Sequence, residues 1–215
     1  GRPLVGPARE LLEELWQQRG TPAPTTQAAA RDEGQRLRTL LSGFDRSVFD
    51  FARDPAALIA AEVRLDRPTM SPGDRWWAEF IVTNRSRLPL SLGPDGALNP
   101  MFLVSLRMEG DRARAYPHLL TVTLDGAAVL PPGATLRVRR TLDIGPPARA
   151  SAQTPQQLQQ ITLSAMLDPA QRADGVWVPG PAGRVLPDVI FTRRPAATGE
   201  AAIAELLAAA GGADS

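Results

Sequence analysis

The chain has 215 residues, of which 24 are basic and 23 acidic, with one histidine and no cysteine. Every basic residue is an arginine, which excludes a Schiff-base lysine, a Walker-type phosphate loop and the catalytic lysine of a β-lactamase. The lack of cysteine excludes disulfides, thiolate metal sites and a cysteine nucleophile. A formal net charge of +1 gives no reason to expect nucleic acid as a partner.

The N-terminal part of the chain is predicted to be mostly helical. Pro7 suits the first position of an amphipathic helix that ends at Gly20, and a second helix is predicted from about residue 27 to Ser42. Asp45 and Asp54 each suit the N-cap position of a short helical turn. No apolar run approaches the roughly 18 residues needed to span a bilayer. We expect the chain to be part of a larger bacterial protein.

From Glu62 onward the apolar residues alternate with period two, and turn signals recur roughly every eight to twelve residues, as in all-β sandwiches and barrels. Strands are predicted near 62–66, 75–84, 88–92, 101–108, 112–116, 119–124, 134–143, 158–167, 175–178 and 184–192. Segment 145–157 is rich in proline and glutamine and is predicted to be a long exposed loop. Thr198 suits the N-cap of a final helix that ends at Gly211.

The stretch from Leu65 to Leu92 is the most informative part of the chain. A Pro-Gly-Asp turn at residues 72–74 is followed by an alternating strand that ends in Thr-Asn-Arg-Ser at residues 83–86. This combination resembles the opening of bacterial immunoglobulin-like, cell-adhesion-related sandwich domains. The resemblance implies an antiparallel β-sandwich and names no activity.

These patterns together predict a mainly β protein. We expect an immunoglobulin-like antiparallel β-sandwich over residues 61–194, preceded by a helical extension or linker over residues 1–60. A short C-terminal helix and tail are expected over residues 195–215.

Catalytic groups and metal ligands have little support in the sequence. His118 is the only histidine, and no serine lies in a Gly-x-Ser-x-Gly elbow. Asp95, Asp125 and Asp174 each precede a glycine, which is typical of turns, and no Asp-x-Asp-x-Asp calcium pattern occurs. We therefore expect no enzymatic activity, no cofactor and no metal, and predict a non-catalytic structural or protein-interaction module.

Trp76 and Trp77 are neighbours on a predicted strand and therefore face opposite sides of it. Trp76 alternates with wholly apolar residues and is predicted to be a core residue. Trp77 lies beside Ile81 on the outer face, where it is either covered by the N-terminal helices or exposed as a stacking platform for a sugar. We favour coverage, because large apolar groups on a monomer's surface are usually buried by something.

The predicted contact surface combines this outer face with two outward-facing arginines and the loop from Gly93 to Pro100. Its candidate residues are Trp77, Ile81, Asp95, Leu98, Asn99, Arg137 and Arg139. The expected partner is another domain of the parent chain or another protein.

The arginines on predicted strands raise an alternative function. If their strands are adjacent, Arg107, Arg112 and Arg114 join Arg137 and Arg139 in a patch suited to phosphate, sulfate or carboxylate groups. The simpler alternative is a solvated strand face paired with nearby acids. The alternative function is thus a carbohydrate- or anionic-polymer-binding module that uses this patch, Trp77 or Trp177.

Overall fold

The computed structural model describes residues 35, 36, 39, 41–43, 45–110, 113–126, 128–197 and 199. The predicted helices that begin at Pro7 and Thr198, and most of the predicted helix over residues 27–42, lie outside this part of the chain. Within it the protein is mainly β, as predicted. The elements are α1 (Arg46–Arg53), a 3₁₀ turn (Pro55–Leu58), β1 (Ile59–Leu65), β2 (Thr69–Met70), β3 (Trp77–Asn84), β4 (Leu90–Ser91), β5 (Met101–Glu109), β6 (Arg114–Thr123), β7 (Val129–Leu130), β8 (Thr135–Thr141), α2 (Gly145–Gln153), β9 (Gln159–Gln171), β10 (Trp177–Val185) and β11 (Val189–Arg193).

The two predicted helical turns before the first strand are confirmed. The Asp45 side chain accepts a hydrogen bond from the Ser47 backbone N–H at 2.8 Å and so caps α1. The Asp54 side chain accepts one from the Ala57 N–H at 3.1 Å and caps the 3₁₀ turn. Such caps satisfy backbone donors that a helix start leaves without partners. No helix in the described part of the chain has the length and apolar character to cross a membrane.

The described strands form two larger sheets and one short ladder. The smaller sheet has the order β1-β3-β8, and the larger has the order β2-β11-β9-β5-β6, with β10 also paired to β9. β4 and β7 form the short ladder. The described ladders are antiparallel, except that β2 and β11 run parallel.

The core lies where the inner faces of the two larger sheets meet. The ring of Phe80 on β3 lies 5.2 Å from that of Phe102 on β5, and Trp76 meets Phe191 of β11 edge-on at 5.7 Å. Aromatic pairs in these tilted arrangements add to the gain from area burial. Trp76 is 3% exposed, which confirms that it is a core residue. Alternate residues of β5 and β9 complete the contact: Phe102, Val104, Leu106, Met108, Ile161, Leu163, Ala165 and Leu167.

A buried polar cluster ends β3 at the Thr-Asn-Arg-Ser run. The Asn84 amide donates hydrogen bonds to the carbonyls of Leu88 at 2.7 Å and Leu130 at 2.9 Å. Its carbonyl oxygen accepts from the Ser86 backbone N–H at 2.9 Å and from the Ser86 hydroxyl at 2.7 Å. Asn84 therefore joins the turn after β3 to β7, because its side chain satisfies buried backbone groups on both segments.

The predicted loop over residues 145–157 is wrong, because α2 occupies most of it. Pro146 and Pro147 stand in the first helical turn, where a missing N–H costs nothing. Pro147, Ala150 and Ser151 are buried, and Ala150 belongs to the hydrophobic core. The helix ends at Thr154, whose hydroxyl donates to the carbonyl of Ala150 at 3.0 Å.

The two strands predicted over residues 112–116 and 119–124 form the single strand β6. The register with β5 shifts between Val104 and Leu106, and His118 has a φ of 51°. The His118 backbone N–H donates to the Ser105 hydroxyl at 3.0 Å instead of to a ladder carbonyl. Pro117 thus marks a bulge within one strand rather than a break between two.

Candidate functional site

The outer face of the three-stranded sheet carries alternating charges around an apolar centre. Its middle row, from β3, consists of Trp77, Glu79, Ile81 and Thr83. Ile81 lies between Glu62 of β1 and Arg137 of β8, and Glu62 also pairs with Arg64 at 2.7 Å. Ile81 is only 4% exposed. Charged side chains therefore flank Ile81 on both sides, and Ile81 itself offers almost no surface to a partner in this structure.

Trp77 is half-buried, and Arg139 contacts its ring. The Arg139 guanidinium carbon lies 5.0 Å from the centroid of the Trp77 ring, within the range of a cation–π interaction. Arg139 also pairs with Asp66 across the sheet at 3.1 Å. The predicted cover of Trp77 by N-terminal helices falls outside the described residues, whereas the cover that the structure describes comes from Arg139.

The loop from Gly93 to Pro100 contains two buried residues, Leu98 and Pro100, among exposed and half-buried ones. Leu98, predicted as a contact residue, is 0% exposed and therefore offers no surface to a partner in this structure. Its backbone N–H donates to the Ser91 carbonyl at 3.1 Å, and its carbonyl accepts from Gly93 at 3.1 Å. Leu98 therefore anchors the loop to the core. Asp95 is exposed and Asn99 is half-buried.

Asp168 ties this loop to the β9–β10 hairpin. Its buried carboxylate accepts hydrogen bonds from the backbone N–H groups of Ala182, at 3.2 Å, and Asn99. Burial raises the pKa of Asp168, since a low-polarity environment disfavours the charged form, while the two hydrogen bonds partly oppose this rise. A side chain at Gly183 would place its Cβ 2.6 Å from the Leu167 carbonyl oxygen, so the hairpin requires glycine there.

β8 is an edge strand with an open side. The Leu142 N–H donates to the Trp76 carbonyl, and the Asn84 N–H donates to the Ala134 carbonyl. These bonds show which opposite residues of β3 and β8 are hydrogen-bonded to each other. Because bonded pairs alternate in an antiparallel ladder, the backbone groups of Thr135, Arg137, Arg139 and Thr141 point away from β3. In the described part of the chain, no backbone group hydrogen-bonds to these four residues on that side.

Three exposed arginines accompany this open side of β8. Arg137 and Arg139 project from the outer face, and Arg140 donates to the Arg139 carbonyl at 3.2 Å. Of the three, only Arg139 forms an ion pair with a carboxylate among the described residues. β6, an edge strand of the larger sheet, differs because Pro117 and the bulge at His118 interrupt its backbone.

The arginine patch suggested by the sequence is divided between two sheets. Arg137 and Arg139 lie on β8 of the smaller sheet, whereas Arg107 and Arg114 lie on β5 and β6 of the larger one. Arg112 lies outside the described residues. The sequence alone does not reveal this division, because it depends on which strands pair.

A groove runs between α2 and the β5–β6 hairpin, and we call it the α2 groove. It consists of two adjoining hollows of about 460 and 520 Å³ that share Arg114, Ala150 and Gln153 in their walls. Arg149 and Tyr116 line the first hollow. The second is lined by Met108, Glu109, Gly110, Thr154, Gln157 and Gln159. Sequence reasoning missed the α2 groove, because residues 145–153 were predicted to be loop.

The described residues contain no group of three or more histidine, aspartate or glutamate side chains placed to hold a metal ion. The ring of His118 meets that of Trp177 edge-on at 6.2 Å, and both lie on the larger sheet. Trp177 is half-buried. His118 therefore covers part of the Trp177 ring, which the sequence makes a candidate for the alternative, sugar-binding function.

Comparisons with known proteins assign no family. No family model matches the chain, and no curated protein matches it. Among solved structures it is similar to the sporulation control protein Spo0M from Bacillus subtilis, with 10% identity, a TM-score of 0.33, and coverage of 64% of this chain and 49% of that one. It is also similar to the alkylpurine DNA glycosylase AlkC from Pseudomonas fluorescens, bound to DNA with an abasic site analog, with 11% identity, a TM-score of 0.30, and coverage of 76% and 43%. The chain thus spans less than half the length of either protein, and similarities this weak carry no argument about its function.

Proposed function

We propose that this chain is a non-catalytic, immunoglobulin-like interaction module that binds an extended acidic segment of a partner protein along the open side of β8. Its main support is that no described strand pairs with the open side of β8, which carries three exposed arginines. The partner segment is either in another domain of the parent chain or in a separate protein.

The strand order supports an immunoglobulin-like domain. The order β1-β3-β8 corresponds to strands A, B and E of one immunoglobulin sheet, and β11-β9-β5-β6 corresponds to G, F, C and C′ of the other. The chain departs from antibody domains in lacking the cysteine pair that joins strands B and F. The contact between Phe80 and Phe102 fills the space between the sheets without a cross-link.

The backbone of β8 suits the addition of a strand. β8 has seven residues with no proline and no register shift against β3. Outward N–H and C=O groups on such a strand can pair with an extended peptide, which gains affinity from main-chain hydrogen bonds. β6 is less suitable, because a proline and a bulge are features that block pairing at sheet edges.

Charge determines which segment fits this edge. A second copy of β8 would bring arginines against arginines, and like charges placed opposite each other on paired strands are destabilising. Glutamates or aspartates at alternate positions of a partner strand would instead face Arg137 and Arg139, which share one face of β8. Charge-assisted hydrogen bonds of this kind are stronger than neutral ones.

Fluorescence anisotropy with a labelled peptide of about eight residues, the usual strand length, tests the proposal. The peptide alternates glutamate with valine, and its control carries glutamine in place of glutamate. We expect the acidic peptide to bind, and the double variant Arg137→Gln/Arg139→Gln to weaken binding about tenfold or more. The matched control Arg107→Gln/Arg172→Gln removes two exposed arginines elsewhere and should leave the affinity unchanged.

Two outcomes would overturn the proposal. Equal affinity for both peptides would remove the role of charge, and equal loss in both double variants would indicate a non-specific effect of net charge. The alternative function, an anionic-polymer-binding module, predicts that a sulfated polysaccharide fragment binds more tightly than the peptide and does so without protecting the outward amides of β8.

A further inference from the structure

The α2 groove is distinct from β8 and has its own source of positive charge. Arg114 of β6 and Arg149 of α2 line the same hollow. Neither forms an ion pair with a carboxylate in the described part of the chain. Two guanidinium groups in one concave site repel each other unless an anion lies between them.

The carboxylate in the wall of the groove has another partner. Glu109 pairs with Arg107 at 3.3 Å. The two residues lie two positions apart on β5 and so share its outer face, away from the core-facing side that carries Met108. Glu109 is the one carboxylate among the described residues that line the groove, and its ion pair with Arg107 leaves it little able to offset the charge of Arg114 and Arg149.

The floor of the groove is held by buried hydrogen bonds. Gln159 is 6% exposed; its amide oxygen accepts from the Ser151 hydroxyl at 3.0 Å, and its amide nitrogen donates to the Thr154 hydroxyl at 2.7 Å. Arg193, itself buried, donates to the Thr154 carbonyl at 3.3 Å. This arginine lies at the carboxyl end of α2, where positive charge is favourable. The network fixes α2, and with it Arg149, relative to the sheet before any ligand arrives.

We propose that the α2 groove binds a small organic anion, with Arg114 and Arg149 as the donors to its carboxylate or phosphate group. A guanidinium group offers parallel N–H donors that match either group bidentately. Gln153, which lines both hollows, carries both a donor and an acceptor for the uncharged part of the ligand. Hollows of about 460 and 520 Å³ match the size range of small-molecule sites.

An NMR titration at constant ionic strength tests this site, with citrate, glucose 6-phosphate and neutral glucose as separate probes. We expect saturable shifts of the amides around Arg114, Arg149 and Gln153 with at least one of the two anions and none with glucose. Citrate and the phosphate ester report the carboxylate and phosphate arms respectively. Saturation by only one identifies the group that the site prefers.

The variants separate this site from the rest of the surface. Arg114→Gln and Arg149→Gln should each weaken binding about tenfold, whereas Arg107→Gln should change it less than about twofold. Arg149→Lys keeps the charge but loses the planar fork, so an intermediate loss is expected. Because both groove arginines are exposed, thermal unfolding should be nearly unchanged in all four variants.

Three results would overturn the inference. The first is the absence of saturable shifts at the groove with either anion up to about 10 mM, which corresponds to a very weak interaction. The second is equal loss of binding in Arg107→Gln and Arg149→Gln. The third is anion binding that is abolished by Arg137→Gln/Arg139→Gln but not by Arg114→Gln, which would place the anion at β8 instead.

Discussion

Replacing Asn84 by alanine should be among the most destabilising single substitutions in this protein. Its side chain donates two hydrogen bonds and accepts two, and the residue is fully buried. Alanine would leave the buried Leu130 carbonyl and Ser86 N–H without these partners, and the half-buried Leu88 carbonyl would keep only its bond from the Ser86 hydroxyl at 2.9 Å. Buried groups that lose a partner incur their full desolvation cost.

The magnitude follows from the number of bonds lost. At a net value of about 1 kcal/mol for each hydrogen bond, losing four lowers the free energy of unfolding by about 4 kcal/mol. Domains of this kind have total stabilities of roughly 5 to 15 kcal/mol. The Asn84→Ala variant should therefore lose a large fraction of its stability, with its unfolding midpoint displaced to much lower urea concentration.

Urea unfolding followed by tryptophan fluorescence measures this change. Thr83→Val is the matched control, since Thr83 is the neighbouring residue and shares an exposed hydroxyl contact with Thr135 at 2.9 Å. We expect the control to lose less than about 1 kcal/mol, because water can replace an exposed partner. A loss below about 1 kcal/mol for Asn84→Ala, or losses equal in the two variants, would refute the assignment of Asn84 as the group that joins the turn to β7.

Three further predictions concern stability. The pKa of Asp168 is raised on folding, so its contribution to the free energy of unfolding is greatest below the unfolded pKa and falls as pH rises through the folded pKa. The unfolding free energy of the wild type minus that of Asp168→Asn should therefore decrease from acid to neutral pH, and an increase would contradict the burial argument. Trp77→Ala should lower the unfolding free energy by about 2 kcal/mol through lost packing, whereas Arg139→Gln should lower it by less than about 1 kcal/mol. Equal losses in the two variants would show that the Trp77 ring does not pack against the protein. Gly183→Ala should lower the unfolding free energy by about 2 kcal/mol or more, because its Cβ would clash with a backbone oxygen. Gly133→Ala should lower it by about 1 kcal/mol, because φ is 73° there but no atom is close. Urea unfolding measures both losses, and the reverse order would contradict the hairpin geometry.

The strands with clear alternation could be predicted from the sequence. β3, β5, β8 and β9 fall where period-two patterns predicted them, because each buries one side against the same core. The division between Trp76 and Trp77 followed from the same periodicity. The helical turns after Asp45 and Asp54 also followed from local signals, since an N-cap contacts residues only two or three positions away.

The elements that depend on distant contacts were not predictable. α2 has little apolar surface of its own, and its two prolines are typical of a loop unless they stand in a first helical turn. The sequence predicts Leu98 as part of a contact loop, because its burial depends on a contact with the core that no local pattern encodes. The α2 groove needs both α2 and the pairing of β5 with β6, so neither Arg114 nor Arg149 alone indicates it.

Amide hydrogen exchange of β8, measured by NMR with and without the alternating glutamate–valine peptide, distinguishes strand addition at β8 from binding elsewhere. The amides of Arg137 and Arg139 face the open side and should exchange quickly in the free protein. Addition of the acidic peptide should slow both amides and leave Val138, which already pairs with β3, unchanged. Bound peptide with no slowing at Arg137 and Arg139 would contradict strand addition at β8.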